Sequence, residues 1–231
     1  MKAIKVVAVR EQTVNAIRAS IMSGELAPGQ RLIERELCEV LNISRNTLRE
    51  SYRQLEAEGF IEIRPHKGPT VTVMTDDQAR QVYEAREALE CYAVRKFTER
   101  ASDAEVAKLR EVAHELAAAV ARFDAHEVDI WKTRFYEDLF DGAQNEFLHE
   151  QVRLMYSRLA RLRARSLSYP GRAAQSSADI RSVMAAIENR DESGAAELWR
   201  DHVRHAALAA LSLPSEEAPT TGKLLPTAED S

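Results

Sequence analysis

Three features of the sequence predict a mainly α-helical chain with an N-terminal winged helix-turn-helix domain and a C-terminal all-α bundle. The 231 residues are 45% hydrophobic and 30% charged, enough for one large or two small cored domains. Residues 71–213 contain one proline, Pro170, and three glycines, Gly142, Gly171 and Gly194, so the stretch favours long helices. By contrast, Pro28, Gly29, Gly59, Pro65, Gly68 and Pro69 punctuate the first 70 residues, where tight turns must be frequent. The polar end SLPSEEAPTTGKLLPTAEDS has too little apolar content to offset the entropy of ordering. The expected division is therefore 1–74, 75–212 and a disordered tail over 213–231.

The elements follow in order. From Arg10 to Ser23 the apolar positions Val14, Ile17, Ile21 and Met22 keep a helical period that Gly24 stops. After a loop through Pro28 and Gly29 comes a short helix in which Leu37, Val40 and Leu41 share one face. Residues Asn42 to Ser44 break it, and Ser44 caps a second helix with Leu48, Tyr52 and Leu55 inward, ended by Gly59. Two short helices about three residues apart form the helix-turn-helix pattern. Ile61 and Ile63, the turn PHKGP and the alternating TVTV then read as a β-hairpin wing. Beyond Thr75, caps and breaks predict helices to about Arg100, from Ser102 to about Phe123, from about His126 to Gly142, from Asn145 to about Leu167, from Ser176 to about Asn189, and from Ser193 to Leu211. That makes six helices, or seven if one is split. Few aromatic residues and abundant Ala and Leu suit close helix packing.

Charge divides at the same boundary. Residues 1–75 hold 11 Lys+Arg against 9 Asp+Glu, a net of +2; the remainder holds 21 against 28, a net of −7, which together give −5. No stretch resembles a membrane span or a signal peptide, so a cytoplasmic protein without a membrane partner is expected. Cys38 and Cys91 lie in helical segments without a CxxC or a nearby histidine and read as small buried apolar residues.

Chemistry shows on the outer face of the second helix of the pair. Ser44, Arg45, Asn46, Thr47, Arg49 and Arg53 crowd its first turns, where a recognition helix offers side chains and N–H groups to DNA. Arginine forks suit guanine edges and phosphates, and Asn, Ser and Thr suit adenine edges or backbone oxygens. His66 and Lys67, beside Gly68 at the hairpin tip, either enter a groove or are simply solvated.

The run IMSGEL, PGQRL and ERELCEVLNISRNTLRESYRQLEAEGFI resembles the DNA-binding domain of the GntR family of bacterial transcription regulators over residues 10–74. The resemblance implies operator contacts from Arg35, Arg45 and Arg49, minor-groove entry by the tip at His66, Lys67 and Gly68, and a homodimer on a palindromic double-stranded operator. More loosely, VYEAREALECYAVRKFTERASDAEVAKLRE, FYEDLFDGAQNEFL, RLARLRARSLSYPGR and WRDHVRHA resemble the FCD effector domain of the FadR branch, over residues 78–210. The six-helix count is nearer its VanR-like subgroup.

Many FCD domains hold a divalent metal with an Asp and three His. Here the aligned positions carry Lys132, Tyr136 and Ile180, and only His202 remains. An ammonium would repel the cation it replaces, so no metal or other cofactor is expected. Lys132 and Tyr136, one turn apart, could instead bind an anionic ligand, with His202 adding a hydrogen bond and Ile180 and Trp199 an apolar wall. The other reading has Lys132 reaching solvent and Tyr136 in ordinary core. Arg86 and Glu90, at i and i+4, read by spacing as a surface ion pair, while the resemblance makes Arg86 a pocket candidate. Arg153, Arg158, Arg161, Arg163 and Arg165 wrap around one helix as a solvated surface, with Arg158 and Arg161 as further pocket candidates. His114, His126, His149 and His205 show no ligand spacing.

The leading expectation is a dimeric repressor released by a small organic acid. A constitutive DNA-binding dimer is one alternative. An enzyme using Lys132, Tyr136 and His202 is the other, although no nucleophile elbow, phosphate loop or HExxH supports it.

Overall fold

The computed structural model describes residues 4–64, 68–122 and 125–213, with side chains for all of these except 4–8, 64, 125, 126, 129, 154, 156–161, 163–165 and 168. They form two compact units that divide at Thr75 and Asp76.

The first unit begins with α1 (Ile4–Ser23), which starts earlier than the period from Arg10 indicates. Its buried stripe is Val14, Ile17 and Ile21. Gly24, at φ 82°, ends it, and the Leu26 amide returns to the Ser20 carbonyl. Helix α2 (Glu34–Val40) seals only Leu37 into the core; Val40, expected on the same face, is 67% exposed. The physical reason is length. A helix of 7 residues ending at Val40 has one inward turn, and Asn42, at φ 50°, then redirects the chain. In α3 (Arg45–Ala57) Leu48, Tyr52 and Leu55 are buried as the spacing requires, and Gly59, at φ 79°, turns Phe60 under the helix end.

Strands β1 (Ile61–Arg64) and β2 (Gly68–Val71) pair antiparallel, with Ile61 opposite Val71 and Arg64 opposite Gly68. Ile61 and Val71 close the core, whereas Ile63, nearer the tip, is exposed. The loop before α2 joins as a short third segment: Arg31 bridges Thr70, the Leu32 amide bonds the Pro69 carbonyl, and Gly29 and Gln30 exchange hydrogen bonds with Val71. The wing is thereby tied to the chain entering the helix-turn-helix.

The second unit comprises α4 (Asp76–Arg100), α5 (Asp103–Ala121), α6 (Ala125–Gly142), α7 (Glu146–Ser168), α8 (Arg172–Glu188) and α9 (Glu192–Leu211). Side-chain caps account for three of these starts. Ser102 and Glu105 form a reciprocal capping box for α5, Asn145 caps α7, and Asp191 caps α9. Helix α8 starts one turn before the expected Ser176, at Arg172, because Gly171 adopts φ 77° and lets the chain turn directly into the helix. Gly142 lies where α6 meets α4: a Cβ there would sit 2.4 Å from the Phe97 ring, so the close approach needs glycine.

Helix α9 packs against α4, α7 and α8, and α5 against α6 and α8. The core between them holds Phe97, Leu109, Phe135, Leu139, Phe140, Val183, Ile187 and Trp199. Burying each large side chain contributes roughly 1.5–3 kcal/mol.

Candidate functional site

Two places gather polar side chains that the packing does not need, one in each unit. In the first, Ser44 caps α3. Its hydroxyl accepts the Thr47 amide at 3.1 Å and lies 2.9 Å from the Thr47 hydroxyl, so these two hold the start of the helix in position. Arg45, Asn46 and Arg49 stand exposed beside them. A cleft of about 570 Å³ opens there, lined among others by Arg31, Glu34, Arg35, Arg45 and Gly68.

Arg31 from the loop, Arg35 from α2 and Arg45 from α3 thus face one space, and among the described residues none of the three has an acidic partner. Arg49 differs, because its Nε and Nη2 both reach the Glu34 carboxylate at 3.1 Å, a bidentate pair that orients the fork. Gly68, at φ 75°, begins β2 in a conformation that favours glycine. His66 and Lys67 lie outside the described residues. Arg31 was not among the candidates read from the sequence. Its signal lies in the β-bridge to Thr70, which places it beside the wing.

The second gathering is buried among α4, α6, α8 and α9. Arg86 and Glu90, expected on the surface, lie in the core at 1% and 0% side-chain exposure. The spacing predicts the pair correctly but not the face, which is set by two distant partners. Arg86 donates to Glu90 at 2.8 and 3.1 Å and to the Tyr136 hydroxyl at 3.1 Å, and the Trp199 indole N–H donates to Glu90 at 3.0 Å. Burial alone would discharge Arg86, but the Glu90 carboxylate holds it charged. Trp199 is therefore a directional donor; its ring stacks on Phe135 and meets Tyr136 edge-on at 5.7 Å.

Helix α8 supplies two residues that were missed. Asp179 Oδ2 lies 3.2 Å from His202 Nδ1, 3.3 Å from His205 Nδ1 and 3.5 Å from Arg172, while its Oδ1 accepts from Gln175 at 2.8 Å. Burial would raise Asp179, but hydrogen bonds from His202 and Gln175 hold it down to about 2. His202 is buried beside the Trp199 ring. Burial pushes its pKa down to about 4, helped by the positive fields of Arg172, Arg86 and Lys132, so its imidazole is neutral at pH 7. Arg172 and Asp179, seven residues apart on α8, are legible as a one-face pair only if the helix is started at Arg172.

Arg86, Tyr136, Trp199 and His202 thus come together, with Lys132, half-buried on α6, close enough to act on His202. Ile180 is buried on α8 next to Asp179 in the chain. The side chain of Arg158 lies outside those described. Among the described residues no group of three or more His, Cys, Asp or Glu could hold one, and both carboxylates of the cluster are already taken by guanidinium, imidazole and indole donors. Among the described residues no helix is long and apolar enough to cross a membrane.

The sequence matches the gntR family of bacterial regulatory proteins over residues 9–71 and the FCD domain over residues 81–205. It is 22% identical to the HTH-type transcriptional repressor RspR of Escherichia coli, over 85% of this chain and 86% of that protein. It is 34% identical to the Nta operon transcriptional regulator of Aminobacter aminovorans, over 60% of this chain and 65% of that one. The fold is similar to that of McbR/YncC from E. coli, with a TM-score of 0.72 at 21% identity over 88% of this chain and 97% of that chain. The matched domains and relatives are those of transcriptional regulators, not enzymes.

Proposed function

This chain belongs to the GntR family of bacterial regulatory proteins and carries an FCD domain, and from that premise we propose that this DNA-binding transcriptional regulator is a homodimeric repressor released by a small organic acid bound without metal. Its six described C-terminal helices favour the VanR-like subgroup, and its place of work is the cytoplasm.

The observation that carries the effector reading is the set of polar groups gathered in the core of the second unit: Arg86, Arg172, Tyr136 and a neutral His202, with Lys132 close enough to act on His202. Arg172 meets its carboxylate partner Asp179 only at 3.5 Å, so a carboxylate is a ligand this cluster can receive. Tyr136 and His202 supply direction, Trp199 and Ile180 apolar surface, and Arg158 extends the same reading.

On the other unit, Arg45, Asn46 and Arg49 read base edges in the major groove, while Ser44 and Thr47 set the helix start against the backbone. Arg31 and Arg35 hold phosphates, and the hairpin tip with His66, Lys67 and Gly68 reaches the minor groove. The acid acts by binding one arrangement of the dimer better than the other; a differential of about 1–3 kcal/mol shifts operator affinity roughly 5–150-fold. The name of RspR supports the sign of regulation.

The test is a gel shift on the promoter of the chain's own gene with and without benzoate, malonate and citrate. Release by at least one acid is expected. Operator binding indifferent to all three would leave a constitutive DNA-binding dimer.

A further inference from the structure

We propose that Arg172, the first residue of α8, is the group that receives the carboxylate of the effector. The inference rests on the organic-acid reading above and names the anchor within it, a role that neither the spacing of the sequence nor the family resemblance assigns to this position.

The cations of the cluster differ in what each has left to give. Arg86 is saturated. Its fork closes on Glu90 at 2.8 and 3.1 Å, Nη2 also reaches Tyr136, and its guanidinium lies over the Tyr83 ring with 5.3 Å to the centroid. A ligand bound there would have to displace a matched bidentate partner. Lys132 is only half-buried, and an ammonium makes no planar fork.

Arg172 is 4% exposed yet poorly matched. Its Nη2 donates to the His202 carbonyl at 3.1 Å, and its Nη1 reaches Asp179 only at 3.5 Å. Its Nε–H is buried with no hydrogen-bond partner. Asp179 is divided among Arg172, His202, His205 and Gln175, and the contact to Arg172 is the longest of the four. A guanidinium buried this deeply with an idle N–H lacks an acceptor, and a carboxylate meeting Nε and the adjacent Nη2 supplies one in the fork geometry arginine favours. The same side chain lies within electrostatic reach of Tyr83, Tyr136 and Arg86, so a ligand held there sits among the groups proposed to orient it. Because Arg172 also holds the backbone of α9 through His202, occupancy is felt at the α8–α9 contact.

The experiment follows thermal unfolding of the full chain with benzoate, malonate and citrate, each titrated to 10 mM. The wild type is expected to gain Tm with at least one acid. Arg172→Gln should weaken the response at least tenfold in acid concentration, Arg172→Lys should recover part of it, and Lys132→Ala should weaken it less than Arg172→Gln. A second measurement needs no variant: in the wild type labelled with 15N-arginine, an Nε–H resonance should move on adding the acid that raises Tm. A Tm response of Arg172→Gln equal to the wild type, or arginine Nε–H resonances that stay in place, overturns the role of Arg172 and leaves the organic-acid reading standing. No Tm response of the wild type to any of the three acids overturns that reading and the anchor with it.

Discussion

Arginines at the helix-turn-helix face and arginines in the helical bundle are chemically identical but electrostatically opposite. Arg31, Arg35 and Arg45 stand exposed around one cleft without an acidic partner among the described residues, so water carries their solvation and a polyanion can replace it by releasing counterions. Arg86 and Arg172 are withdrawn from water and depend on specific acceptors, Glu90 for one and a shared Asp179 for the other. The first arrangement suits a phosphate backbone of any sequence. The second suits only a group that fits a fixed set of hydrogen bonds.

The comparison breaks most readily at Glu90. Glu90→Gln leaves the Arg86 charge uncompensated in the core and should cost about 3–5 kcal/mol in urea unfolding. A loss under about 1 kcal/mol would mean that the pair behaves like a surface one, and the contrast between the two regions would fail.

Acid sharpens the same contrast. The imidazole of His202 has a folded pKa of about 4 against an ordinary 6.5, so the unfolded chain binds a proton that the folded chain refuses. Stability should therefore be flat above pH 7 and decline as pH falls from 6.5 to 4, by about 3 kcal/mol. His202→Gln should flatten that slope in denaturant titrations run at each pH. Asp179, held at about 2 against an ordinary 3.8, keeps its contribution through that window and loses it only as pH falls below the ordinary value toward 2.

On the exposed face the effects are smaller and depend on salt. Arg45→Ala should cost roughly 1–3 kcal/mol of operator affinity and relax the base preference at one position. Arg31→Ala should weaken all DNA sequences alike and reduce the slope of log affinity against log salt by about 0.9, the value for one phosphate. Fluorescence anisotropy across a salt series separates the two; equal slopes for Arg31→Ala and wild type would remove Arg31 from the interface. The smallest effect belongs to Ser44→Ala, about 1 kcal/mol of stability from the lost α3 cap, read by thermal unfolding.

Legibility differed between the regions for the same reason as their electrostatics. The helix-turn-helix is built from local signals. Gly24 and Gly59 sit at positive φ, Ser44 bonds its own helix start, and Leu48, Tyr52 and Leu55 repeat at helical spacing, so each is readable within a few residues of chain. Val40 misled because a helix of 7 residues buries less than its periodicity suggests. In the bundle, helix existence was readable but not which turn faces inward. The expected start of α8 at Ser176 hid Arg172, and the i,i+4 spacing of Arg86 and Glu90 is indifferent to whether the pair meets water.

The sequence by itself determined the order of helices and the caps Ser44, Ser102 and Asn145, because helix propensity, capping and turn conformation act over one or two turns of chain. Only the tertiary structure decided that Arg86 and Glu90 are interior, that Asp179 lies against His202, and that Arg172 has an N–H without an acceptor. Those outcomes depend on Tyr136 and Trp199 reaching Arg86 and Glu90 across 50 and 109 residues of chain, and on α8 lying against α9. Burial and electrostatic pairing are properties of the packed assembly, and no local pattern encodes them.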